Sequence, residues 1–133
     1  MHLEEVCFDP GTPFVKASGM NRYRLLDPRG SLLMSLPIEG GRSHHQPLGR
    51  VRLVQPSPWA SQHWKHLVNT YRRAPYFDYW ADDLEKIIRQ PDSLLFDYNL
   101  RILVFHRKFK SKKLPTTKIN KESYIRVKII KMK

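Results

Sequence analysis

The hydrophobic period of this chain changes once, at Ser57-Pro58, and that change limits the folds open to it. Before it, apolar residues alternate in short runs broken by proline and glycine; after it they recur at helical spacing. Residues 4–9 read as a short strand closed by the turn Pro10-Gly11-Thr12-Pro13. Residues 22–26 and 31–38 read as a hairpin about Asp27-Pro28-Arg29-Gly30, where proline fixes φ and glycine relieves it. Within 31–38, Leu32, Met34 and Leu36 fall on one face, Leu33 and Ser35 on the other. Residues 51–54 alternate like a further half-buried strand. Ser57 then caps and Pro58 opens a helix expected to reach about Arg73, because a residue preceding proline, here Ala74, disfavours the α region. A second helix is expected over 77–89, broken by Gln90-Pro91-Asp92, and a third from Ser93 through Leu103. Residues 106–113 are mostly cationic, and 124–130 alternate weakly as a strand. Strands first and helices after point to an α+β (or partial α/β) fold, with a small mixed sheet from the N-terminal half covered by two or three helices from the C-terminal half.

The net charge of +12 is unevenly spread. Residues 1–100 hold 12 Lys and Arg against 11 Asp and Glu, whereas residues 101–133 hold 12 against Glu122 alone. A nearly neutral body with a basic tail fits a weak, salt-sensitive electrostatic arm better than a specific nucleic-acid binder, which places its cations and aromatics on the folded body. A solvated, partly disordered tail is the plainer alternative. The single cysteine, Cys7, excludes an internal disulfide and reads as a small core residue. No charged-then-apolar leader opens the chain and no run approaches a membrane span, so a cytoplasmic setting is expected. No GxGxxG, GxxxxGK[ST] or GxSxG pattern is present, and no cofactor is indicated.

The first helix carries most of the candidate chemistry. At 100° per residue, Leu67, Ala60, Tyr71, Trp64 and Val68 span an arc of about 80° to 180° from Trp59, the expected buried face. Trp59, His63, His66 and Thr70 cluster beside it as a boundary ridge able to line a polar pocket. His63 is the candidate general base, since an imidazole titrates near neutrality; the bland alternative is a partly buried histidine hydrogen-bonded to backbone. A metal shared by His63 and His66 would need a third ligand such as His44, His45 or an acid, and no metal is expected. On the strand after the first turn, Arg22 and Arg24 share one face, Asn21 and Tyr23 the other. With Lys16, Arg22 offers a cationic hold for a carboxylate or phosphate; solvated strand-face cations are the alternative.

These residues together resemble the WbqC-like family of bacterial proteins associated with surface-polysaccharide (O-antigen) biosynthesis. The run Trp59, His63-Trp64, Tyr71, Ala74-Pro75-Tyr76-Phe77 has the family's order and spacing. Phe14 through Arg22, Leu33-Met34-Ser35-Leu36-Pro37-Ile38, Val51-Arg52-Leu53, Asp82-Asp83-Leu84 and Leu94-Leu95 through Asn99-Leu100 resemble its other segments. Gly19-Met20 stands where the family has Tyr-Arg. The resemblance implies an incomplete family domain over 1–105 that lacks an opening strand and helix, and a divergent basic tail over 106–133 of the kind a shifted reading frame produces. It also implies a sugar-containing small-molecule substrate and a transferase, or the remains of one, that moves an acyl or aminoacyl group to an amino sugar. In that role His63 deprotonates the acceptor amine, Lys16 and Arg22 hold an anionic group, Asn21 donates to a developing oxyanion, and Trp59 and Tyr71 contact substrate. A non-catalytic scaffold and a nucleic-acid binder acting through the tail are the rival classes.

Overall fold

In a computed structural model the described residues are 5–16, 18–27, 29–40, 45–110 and 125–128, with 5–7, 27, 107–110 and 125–128 described as backbone alone. Among the described residues the chain is α+β, as its sequence order implies, with three α-helices and two separate antiparallel ribbons of two strands each. β1 (Glu5–Phe8) pairs with β4 (Ile125–Lys128), so Glu5 lies opposite Lys128 and Phe8 opposite Ile125. The basic C-terminal segment therefore returns to the start of the chain as a strand. β2 (Arg22–Asp27) and β3 (Gly30–Ser35) form a tight hairpin in which Arg22 faces Ser35 and Asp27 faces Gly30. Gly30 sits at φ 137°, a conformation that a side chain would oppose.

The hairpin has a wet face and a dry face. Leu25 and Met34 are buried on the inner side, whereas Leu26 and Leu33 are exposed on the outer side with Arg24, whose Nη1 donates to Ser31 Oγ at 3.0 Å. Leu32, expected to share the apolar face, lies near the turn of the hairpin and is exposed.

Residues 51–54 do not form a ladder strand. They run instead as a strip hydrogen-bonded on both sides: Glu39 N–H to Arg52 O and Val54 N–H to Pro37 O on one, Leu53 N–H to Ser93 O and Leu95 N–H to Val51 O on the other. Val51 and Leu53 are consequently 0% exposed and lie in the main core with Phe14, Leu36, Trp59, Ala60, Leu95 and Tyr98. A single 3-10 turn, Leu48–Arg50, precedes the strip. Its Gly49 passes so close to Pro10 that a Cβ would come within 2.8 Å of the proline ring.

The helices follow their sequence signals closely. α1 (Pro58–Tyr71) opens on proline, although Ser57 caps it through its carbonyl and not its hydroxyl. α2 spans Phe77–Arg89. Trp64 of α1 stacks on Phe77, and Phe77 meets Trp80 edge-on, within a second core cluster of Leu67, Phe77, Ala81 and Ile88. α3 runs Leu95–Lys110 and so continues past Leu103. The cationic residues that seemed to end it are good helix formers, and positive charge is favourable at a helix C-terminus.

Leu53→Ala should cost about 2–5 kcal/mol of stability by opening a cavity in the doubly bonded strip. Leu33→Ala on the exposed ribbon face should cost under about 1 kcal/mol. Paired denaturant titrations of the two variants check the contrast.

Candidate functional site

α1 lies along β2, and two side-chain hydrogen bonds fix its position there. Tyr23 Oη and His63 Nδ1 are 2.8 Å apart, and Tyr71 Oη accepts from the Leu26 backbone N–H at 3.0 Å. The helix partners are eight residues apart, roughly 12 Å of helix. The strand partners are three apart, roughly 10 Å of strand. The two rises match, so helix and strand advance together in one direction.

His63 is buried at 6% exposure, packed edge-on against both Trp59 (5.2 Å between ring centres) and Tyr23 (5.6 Å). Trp59 in turn meets Tyr98 edge-on, and its indole N–H donates to Val54 O at 3.1 Å. The expected boundary ridge of α1 therefore splits. Trp59 and His63 belong to the core, Thr70 is half-buried with its hydroxyl turned back to His66 O, and His66 is exposed.

Burial holds the His63 pKa below 6.5; nearby His66 pushes in the same direction, and a hydrogen bond to the Ser35 backbone opposes them. Burial and the neighbouring Tyr98 raise the Tyr23 pKa, while burial lifts Tyr98 to about 12. The pair is thus a neutral imidazole beside a protonated phenol near neutral pH. When Tyr23 donates to Nδ1 the ring proton sits on Nε2; when Nδ1–H donates to Tyr23, Nε2 is left as the base.

The other candidates are less tightly grouped. Asn21 is buried at the entrance to β2, with Nδ2 donating to Leu36 O at 3.2 Å. Arg22 follows it, half-buried, opposite Ser35. Lys16 is exposed in the preceding turn. Tyr71 sits at the C-terminal end of α1, away from His63 along the helix. Among the described residues no three His, Cys, Asp or Glu side chains converge as metal ligands; His45 is exposed, and His44 and the Cys7 side chain lie outside the described residues. No described helix is long and apolar enough to cross a membrane. A shallow depression on α2, lined by Asp82, Glu85, Lys86, Arg89 and Gln90, contains none of the candidates.

The WbqC-like protein family matches residues 4–130. The chain belongs to that family. No curated protein and no solved structure matches it.

In this WbqC-like chain the sequence motif has a structural meaning. Trp59, His63 and Tyr71 are the residues that seat α1 on β2 and on the central strip. In Pro75-Tyr76-Phe77 the chain reverses through Tyr76, exposed at φ 63°, and drops Phe77 into the core at the start of α2. Sequence reasoning passed over Tyr23, the partner of His63, although strand alternation already placed it with Asn21 on the face opposite Arg22 and Arg24. It also passed over Asn99, whose Nδ2 donates to Met20 O at 2.9 Å and ties α3 to the turn before β2.

The lowered His63 pKa fixes the sign of a pH effect. Between the folded value and 6.5 the unfolded chain binds a proton that the folded chain does not. Stability is therefore full above 6.5, declines as pH falls to the folded value, and levels below it. Thermal melts across this window should show the decline in the wild-type chain, and His63→Leu should flatten it.

Proposed function

We propose that this WbqC-like protein acts in bacterial surface-polysaccharide biosynthesis, transferring an acyl or aminoacyl group from an activated donor to the amine of a sugar. The observation that carries the reading, beside family membership, is the neutral imidazole of His63 held against the Tyr23 hydroxyl. A base must be unprotonated to act, and burial keeps this one so below its ordinary pKa. As the sugar nitrogen bonds to the acyl carbon, its proton passes to the imidazole. The bond from that carbon to the donor's leaving atom breaks, and the imidazolium returns the proton to the leaving group. In this reading Lys16 and Arg22 hold an anionic group of the substrate. Trp59 walls the imidazole, and Tyr71 contributes its ring face while its hydroxyl stays on Leu26.

The low exposure of His63 favours a second reading, a non-catalytic scaffold in which the histidine is a cross-brace between α1 and the hairpin. Transfer to an amino-sugar acceptor by the chain and by its His63→Gln variant separates the two. The enzymatic reading predicts a rate loss of about 10²–10⁴-fold in a variant that still melts cooperatively. An unchanged rate takes His63 out of the mechanism. No transfer by either chain, with loss of co-purifying partners in the variant, leaves the scaffold.

A further inference from the structure

We propose that Tyr23 is a positioning residue for His63: its O–H donates to Nδ1 and holds the neutral imidazole as the Nε2–H tautomer. The two atoms are 2.8 Å apart, and a bond of that length needs one donor and one acceptor. Which is which follows from the relative acidity of the two groups and from the ring's other nitrogen. A phenol O–H is a stronger acid than the N–H of a neutral imidazole, and an imidazole nitrogen is a stronger base than a phenol oxygen. O–H···N is therefore the favoured sense of the contact.

The register of the hairpin supplies the second constraint. Leu36 N–H bonds to Asn21 O at 2.8 Å. Bonded and non-bonded pairs alternate along an antiparallel ladder, so the next pair, Arg22 and Ser35, is a non-bonded one. Its backbone groups point out of the ladder, as the Leu26 N–H does where it meets Tyr71 Oη. The Ser35 carbonyl is thus left to a donor outside the hairpin. His63 makes a hydrogen bond to the Ser35 backbone, and its sense, one that favours the charged ring, requires the ring to donate and the carbonyl to accept. Nδ1 faces Tyr23, and each ring nitrogen makes one in-plane bond, so the donor to Ser35 is Nε2–H. A neutral ring that carries its proton on Nε2 has a bare Nδ1, which Tyr23 can meet only as donor.

Both ring nitrogens are then engaged, and His63 is 6% exposed whereas Tyr23 is half-buried. In the transfer proposed above, on which this one step rests, the amine proton consequently moves to Tyr23 Oη as the Oη–H proton moves to Nδ1. The step leaves a neutral phenol and an imidazolium whose Nε2–H stays on the Ser35 carbonyl. The reverse shift hands the proton back to the leaving group. A ring held in one tautomer from both ends need not turn before it acts, and the edge-on contacts with Trp59 and Tyr23 hold its plane.

The tautomer is read directly from the ring nitrogens. Long-range proton–nitrogen correlations of the full isotope-labelled chain are recorded above pH 6.5, where the ring is neutral, with His63→Gln identifying the His63 signals. The proposal predicts a bare, pyridine-type Nδ1 and a protonated Nε2 in the wild type, and a displaced Nδ1 resonance in Tyr23→Phe, which loses the donor. Transfer to an amino-sugar acceptor should fall about 10²-fold or more in Tyr23→Phe, with the acceptor KM unchanged. The proposal is overturned if Nδ1 of the wild type carries the proton, if its resonance is the same in Tyr23→Phe, or if a wild type that transfers is matched by Tyr23→Phe. The wild-type tautomer needs no variant, so it decides the matter should Tyr23→Phe fail to fold. A chain with the stated tautomer and no transfer would sink the catalytic reading and leave Tyr23 as the residue that sets the ring.

Discussion

The fold depends on how α1 is seated. A helix over a two-stranded hairpin has little sheet to grip, because such a ribbon is marginal on its own. Apolar burial alone would let α1 slide or roll. The bonds from His63 to Tyr23 and from Tyr71 to the Leu26 backbone remove that freedom at two points roughly two helical turns apart. Between them Leu67 fills the α1–α2 seam, and beside them Trp59 reaches the central strip through Val54 O. The histidine is therefore part of the architecture before it is part of any chemistry, and a catalytic role must be built on the same ring.

Much of this was legible in the sequence. The bounds of α2 and the start of α1 follow from apolar period, proline placement and Gln90-Pro91, since these signals are local. The end of α3 was not legible, because hydrophobic periodicity says nothing about cations that continue a helix on propensity. Nor was the fate of residues 51–54. Their alternation reads as a ladder strand, but their neighbours, the irregular segment 37–39 and residues 93–95 where α3 begins, are joined to them by only a few backbone bonds. Such pairing, 13 to 17 residues away on one side and 40 to 44 on the other, leaves no local pattern. The same is true of β4, which finds its partner at the opposite end of the chain.

The candidate site divides in a similar way. The type and spacing of His63 and Trp59 singled them out, but helical phase put them on a boundary. The structure draws them inward because β2 supplies a polar partner at the right depth. Tyr23 was on the correct face and was passed over for its charged neighbours, whose chemistry is more conspicuous in a sequence. Asn21, expected to donate to a substrate oxyanion, directs its Nδ2–H to the Leu36 carbonyl in this structure. Which end of an amide is free depends on a contact fifteen residues away, at Leu36.

The central claim is that the His63–Tyr23 contact is an energetic coupling between α1 and the hairpin, more than a coincidence of packing. A double-mutant cycle with Tyr23→Phe and His63→Phe, read by denaturant unfolding above pH 6.5, where stability is full, measures it directly. The account predicts a coupling of about 1–2 kcal/mol, the range of a buried hydrogen bond between side chains. Strictly additive single-variant effects would contradict it, and would leave α1 held by apolar contact alone.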